Sequence, residues 1–255
     1  MKKILFFSVL GILYFSAIQA QGLKNLIKKT TKQDSTKSSS SSKSILDKLS
    51  NLKKTNLTND EIISGLKEAL QVGTERGTQK LSSVDGFFKD AVIKILMPAE
   101  AVKVEKTLRN LGMGKQVDNA ILSMNRAAED AAKSAAPIFI NAIKQMSFQD
   151  ALGILKGGDS AATKYLREKT SRELTEAFRP VIENSLTKVN ATKYWNTVFT
   201  SYNKFSSDKV NTDLPAYVTE KALAGIFYQV AQEEMKIRKD PVARTSDILK
   251  KVFSN

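Results

Sequence analysis

The sequence predicts an all-α protein: one multi-helix domain over residues 55–255, preceded by a signal peptide (1–20) and a basic, Ser-rich, disordered tether (21–54). Three observations predict it. From Thr55 onward apolar residues recur three and four apart, the period of one helix face. Two capping-box spacings, Thr58 to Glu61 and Ser147 to Asp150, mark helix starts. Five prolines and twelve glycines in 255 residues leave long stretches without a helix breaker.

The elements follow in order. Lys2 and Lys3 make a positive start, and Ile4 to Ala17 is an apolar run too short for a comfortable membrane span. Ile18-Gln19-Ala20 then offers a signal-peptidase site, with cleavage after Ala20; an uncleaved N-terminal anchor is the alternative. No Cys follows the run, so the chain is not a lipoprotein, and the expected location is the periplasm.

Residues 21–54 read as a tether. Ser35 to Ser44 is nearly all Ser, Lys and Thr and cannot bury a core. Leu23, Leu26 and Ile27 with Lys24, Lys28 and Lys29 form one short apolar-basic segment. Ile45, Leu46, Leu49 and Leu52 with Lys48, Lys53 and Lys54 form another. Two readings stand: surface helices drawn to anionic lipid or another envelope polyanion, or a solvated linker. Residues 1–54 hold eleven lysines against Asp34 and Asp47, so most of the net charge of +14 resides there. The rest has mixed signs and lacks the concentrated basic face that nucleic acid requires. The expected partners are an envelope protein, a cell-wall polymer or an anionic lipid surface met through the basic tail, and not nucleic acid.

The helical domain opens at Thr58, with Ile62, Ile63, Leu66, Ala69 and Leu70 on one face; Gly73 and Gly77 weaken that helix near its end. Asp85-Gly86 signals a turn, and Val92 to Ile95 suits a short extended piece. Pro98 starts a helix that stops at Gly112. Lys115 to about Ala135 is an Ala-rich helix, and Pro137 starts another, Ile138 to Met146. A short helix from Ser147 ends at Gly157-Gly158. Asp159 caps a long helix to Phe178, which Pro180 kinks or breaks. Thr192 begins a helix carrying Tyr194, Trp195, Val198, Phe199 and Tyr202. Asp213 and Pro215 open a long one, and Thr245 or Ser246 caps a last helix with Ile248, Leu249, Val252 and Phe253.

The block Phe148-Gln149-Asp150-Ala151-Leu152-Gly153-Ile154-Leu155-Lys156-Gly157-Gly158-Asp159-Ser160, continuing to Thr170, resembles the signature of a bacterial family of exported all-helical envelope proteins. That family is catalogued as domain of unknown function 4197. Ser123-Met124-Asn125-Arg126-Ala127-Ala128-Glu129, Asp240-Pro241-Val242-Ala243-Arg244-Thr245 and Leu57-Thr58-Asn59-Asp60-Glu61 are similar to it as well. The resemblance implies a signal peptide and a helical domain and brings no assigned activity.

Composition closes many chemistries. Without Cys there is no disulfide, thiolate nucleophile or zinc-thiolate site; without His there is no Ser-His couple or imidazole ligand. No Asp-x-Asp-x-Asp-Gly loop offers oxygen ligands, so neither metal nor cofactor is expected. Gly157, Gly158 and Asp159 lead into a helix N-terminus, where backbone N–H groups suit an anion. A tight helix-helix turn with Asp159 as cap is the other reading. Asn125, Arg126, Glu129 and Asp130 form a polar cluster on the Ala-rich helix, with Arg126 in reach of Glu129 and Asp130. Arg167, Lys169, Arg172 and Arg244 supply basic counterparts. The cluster is either a pocket for an anionic ligand or ion pairing that fixes helix register.

Glu129 and Asp159 would serve as a hydrolytic carboxylate pair only if the fold set them across a cleft. Ser185-Leu186-Thr187-Lys188 matches Ser-x-x-Lys by coincidence, because its companion motifs occur in the wrong order. Three readings remain. The preferred one is a non-enzymatic envelope module for binding or interaction. The others are a small-anion binder using Gly157 to Asp159 and the Arg126 cluster, and a His-free carboxylate hydrolase.

Overall fold

The computed structural model describes residues 58–244 together with Asp247 and Lys250, all within one compact unit, Leu49–Asn255. The predicted signal peptide, tether and closing-helix residues Ile248, Leu249, Val252 and Phe253 lie outside the described residues. Among those described, every regular element is helical.

Helix α1 (Asn59–Ser82) starts at the expected capping box. Thr58 Oγ1 accepts from the Glu61 N–H at 3.2 Å, and Glu61 accepts from the Thr58 N–H at 2.7 Å. A short 3-10 turn, Ala99–Ala101, leads into α2 (Val102–Asn110), which ends at Gly112 with φ +79°. Then follow α3 (Gly114–Ala132), α4 (Ala135–Lys144) and α5 (Phe148–Lys156), the last with its own capping box at Ser147. Helix α6 (Ala161–Lys188), α7 (Ala191–Phe205) and α8 (Leu214–Lys239) complete the series. Asp213 caps α8 by accepting from the Ala216 N–H at 3.0 Å.

Helices α1, α6 and α8 form the frame. Helix α8 packs along both α1 and α6, α3 lies against α6, and α4 fills the space between α1 and α6. Phe87, Phe139, Phe178 and Phe227 are fully buried, and the rings of Phe139 and Phe227 meet edge to face at 5.9 Å. Alanines 127, 128, 131, 132 and 135 are buried as well, so α3 approaches its neighbours closely.

Four expectations change. Helix α1 does not weaken at Gly73 and Gly77. Both are buried against α8, where a Cβ would make ordinary van der Waals contact with Ile237 Cδ1 and Gln229 Cγ at 3.4 Å, and the helix runs through them without a break. Helix α6 does not end at Pro180. The buried stripe Leu174, Phe178, Ile182, Leu186 continues through it, while Pro180 and Glu176 are exposed, where water serves the carbonyl that lacks a donor. Residues 92–95 form no strand. Asp159 is not the cap of α6: Ser160 occupies that position without a side-chain cap bond.

Two asparagines do the work of a strand partner. Asn125 Oδ1 accepts from the Ile95 N–H at 2.9 Å, and its Nδ2 donates to the Ile95 carbonyl at 2.8 Å. Asn203 holds Val210 the same way, at 2.9 and 2.7 Å. Each buried or half-buried backbone pair is thereby satisfied without a ladder.

Candidate functional site

The predicted residues fall into separate places. On α3, Asn125, Arg126 and Glu129 face the segment between α1 and the 3-10 turn. Glu129, its side chain 5% exposed, accepts from the Phe87 and Phe88 N–H groups at 3.1 and 3.2 Å. Arg126 Nη1 donates to Glu129 at 2.6 Å, and Nη2 donates to Asp85 at 2.7 Å. These bonds, Glu129's first and then Asp85's, hold the Arg126 guanidinium still more firmly protonated than usual. Lys89 and then Arg126 hold the Asp85 carboxyl below the ordinary value. Asp85 adopts φ +70°, tolerable for an Asp in a tight turn. Gly86 beside it lies under the end of α1, where a Cβ would come within 2.4 Å of the Lys80 carbonyl oxygen. The expected Arg126–Asp130 pair is absent. Asp130 instead binds Lys133 at 2.9 Å and Ser185 at 3.1 Å. Burial pushes its carboxyl up, and these two bonds outweigh it, leaving it lowered.

The Gly157-Gly158-Asp159 turn lies at a second place. A Cβ on Gly157 would sit 2.4 Å from Ala161 Cβ, so the turn into α6 demands glycine there; at Gly158 it would meet open space. The N-terminus of α6 does hold an anion, and it is the chain's own. Glu234 of α8 accepts from the Ala162 N–H at 3.0 Å, the Thr163 N–H at 2.9 Å and the Thr163 hydroxyl at 2.7 Å. Arg238 pairs with Glu234 at 2.9 Å and donates to the Ile154 carbonyl at the end of α5. Arg244 donates to the Ile237 and Arg238 carbonyls at the end of α8. Two arginines and one glutamate therefore serve three helix ends at once. Asp159 pairs with Lys239 at 2.9 Å on the surface. Arg167 stacks its guanidinium 4.3 Å from the centre of the Phe227 ring.

Sequence reasoning missed Glu234, Arg238 and Asp85. The Glu234–Arg238 spacing, i to i+4 beside the apolar Val230 and Ile237, was the available signal. It also missed a groove. The segment from Val92 to Glu100 runs beside α8 and leaves two adjoining hollows of about 400 and 480 Å³, which share Tyr217 and Lys221. Val92 and Leu96 are exposed on its wall. The Tyr217 hydroxyl donates to the Leu96 carbonyl at 2.8 Å, tying α8 to that wall. Burial first, then Glu100 and Glu220, push the Tyr217 phenol up to about 12. Lys94, 4.0 Å over the Phe88 ring, and Lys221 are the charged groups of the hollow beside Tyr228.

Among the described residues no cluster of three or more acidic side chains is placed to hold a metal ion. No curated protein and no solved structure matches the chain. The family model described as "Protein of unknown function (DUF4197)" matches residues 56–254, nearly the whole helical domain with the α3 cluster, the Gly157 turn and the groove, and the chain belongs to that family.

Proposed function

We propose that the chain is an exported, non-enzymatic binding module of the bacterial envelope, holding an apolar, carboxylate-bearing segment of a protein partner in the groove beside α8. The observation that carries this reading is the contrast between two kinds of polar group. Asn125, Arg126, Glu129, Glu234, Arg238 and Arg244 are committed to the protein's own backbone and to one another. That supports a structural role for them. It leaves little for an anion pocket or a carboxylate pair.

The groove differs. Its wall presents Val92 and Leu96 to solvent, Tyr217 and Tyr228 line its floor, and Lys94 and Lys221 are the charges of one hollow. Apolar walls with a few convergent polar groups are the usual make-up of a binding site. Lys94 has only the Phe88 ring beneath it, and Lys221 has a loose, exposed pair with Glu220 at 3.6 Å that an incoming carboxylate can replace, so the two ammonium groups favour a carboxylate.

The test uses the full-length chain and a set of short apolar peptides, each with a free and an amidated C-terminus, followed by backbone amide NMR. Free-carboxylate peptides are expected to shift the signals of Val92, Leu96 and Lys221, and Lys221→Glu to abolish the shifts. Shifts at Gly158 and Arg126 instead would move the site to the other cluster. Export is tested separately: the mature N-terminus in the periplasmic fraction is expected to be Gln21.

A further inference from the structure

Helix α7 carries two apolar faces, and only one is used by the core. Trp195 and Phe199 are 5% and 4% exposed and pack inward. Tyr194, Val198 and Phe205 are 66%, 36% and 93% exposed. Their spacings of four and seven residues put them within about 40° of one another around the helix, in one outward stripe. Lys193 and Lys204 lie about 90° to one side of that stripe. Both are exposed, and neither forms an ion pair with a described residue. From Asn184 to Ser207 the chain has no acidic residue at all, and its charges are Lys188, Lys193 and Lys204.

We infer that this outer face of α7 lies on an anionic bilayer surface, with Tyr194, Val198 and Phe205 entering the headgroup boundary and the lysines meeting lipid phosphates. Charge decides the occupant. A helix flank that is basic throughout and bears an aromatic stripe has the make-up of an interfacial helix. Each lysine near an anionic leaflet adds attraction, and its long stem lets the ammonium stay at headgroup level. No described helix is long and apolar enough to cross a membrane. The contact therefore runs along the interface. It is independent of the groove and of the basic tail.

Trp195 makes the inference testable, because it is the only Trp in the chain and lies on α7 itself, within about one helix diameter of the stripe. The full-length chain is mixed with vesicles of phosphatidylcholine alone or with about one third phosphatidylglycerol, each with and without brominated acyl chains. Binding is expected only with phosphatidylglycerol, together with quenching of Trp195 by the brominated lipid. The double variant Tyr194→Ser, Phe205→Ser should lose the quenching and bind at least about tenfold more weakly. A circular dichroism melt checks its fold; should it fail to fold, quenching in the wild type decides. Binding without quenching would assign the contact to the basic tail and overturn the inference. Equal binding to phosphatidylcholine alone, or no binding at all, would overturn it too, and would leave the stripe to a protein partner.

Discussion

Glu234 accepts both the backbone N–H and the hydroxyl of Thr163, at 2.9 and 2.7 Å, and so seats a buried carboxylate on the N-terminus of a helix seventy-one residues earlier in the chain. A helix start favours an anion because its first N–H groups lack partners and its dipole is positive there. Here the anion belongs to the protein.

Removing that carboxylate leaves Arg238 half of its charge pair and leaves two buried N–H groups open. Glu234→Ala is expected to cost about 3–5 kcal/mol, the range for breaking a buried pair. Glu234→Gln keeps an acceptor and should cost less. Urea melts of the two variants rank them, and equal losses would mean that a neutral acceptor retains nothing and that the charge carries the whole contribution.

Asn125→Ala removes three hydrogen bonds, to the Ile95 N–H and carbonyl and to the Ile121 carbonyl. The Ile95 pair is then buried without partners. A loss of about 2–6 kcal/mol is expected, from roughly 1–3 for each of the two unsatisfied groups. Hydrogen exchange at Ile95 should accelerate ahead of the helices, and unchanged protection there would count against the clamp.

Arg126→Met leaves Glu129 still bonded to the Phe87 and Phe88 N–H groups. The Arg126 side chain is 37% exposed, so water reaches the site. The expected cost is about 1–3 kcal/mol, below that of a fully buried pair. Thermal melts check it, and a loss as large as that of Glu234→Ala would mean that water does not reach Glu129.

The Asp213 carboxyl is held below its ordinary value, first by Arg179 at 2.7 Å and then, against some burial, by the Ala216 N–H. A lowered folded-state value means that the contribution is fully present above the unfolded value, about 3.9, and fades as pH falls through the folded one. Asp213→Ala should therefore cost about 1 kcal/mol at pH 7, mainly as a lost helix cap. The gap between variant and wild type should shrink steadily below about pH 4. Melts from pH 7 to pH 2 check this, and a gap that persists in acid would refute the assignment.

Local chemistry made much of the fold legible. Thr58 with Glu61, Ser147 with Asp150, Asp213 with Pro215, and Gly112 each mark a helix end within a few residues. The features that escaped are those decided by distant chain. Asp159 looked like a cap because nothing near it announces Glu234. Pro180 looked like a break because the exposure that makes its missing donor harmless depends on how α6 packs. Arg126 and Glu129 were paired correctly from their spacing, whereas Asp85 arrives from a loop forty-one residues away. The groove had no motif to betray it, since Val92, Tyr217 and Lys221 meet only after folding.

The asparagine clamps have a consequence for how the surface can vary. A strand ladder fixes a whole row of residues, whereas one side-chain amide fixes a single residue. Between Phe88, held by Glu129, and Ile95, held by Asn125, the chain is tied to the frame at single points, the Lys80–Asp90 pair at 3.4 Å and the buried Ile93 among them, so extra residues inserted at the exposed Ala91 and Val92 should bulge outward and leave the helices in place. Between Asn203 and Val210 the ties are again single, with Asp208 meeting Lys103 at 3.4 Å on the surface. Surface loops, the groove wall among them, are thus hung from fixed points on a rigid frame, which lets their length and lining change without the frame having to be rebuilt.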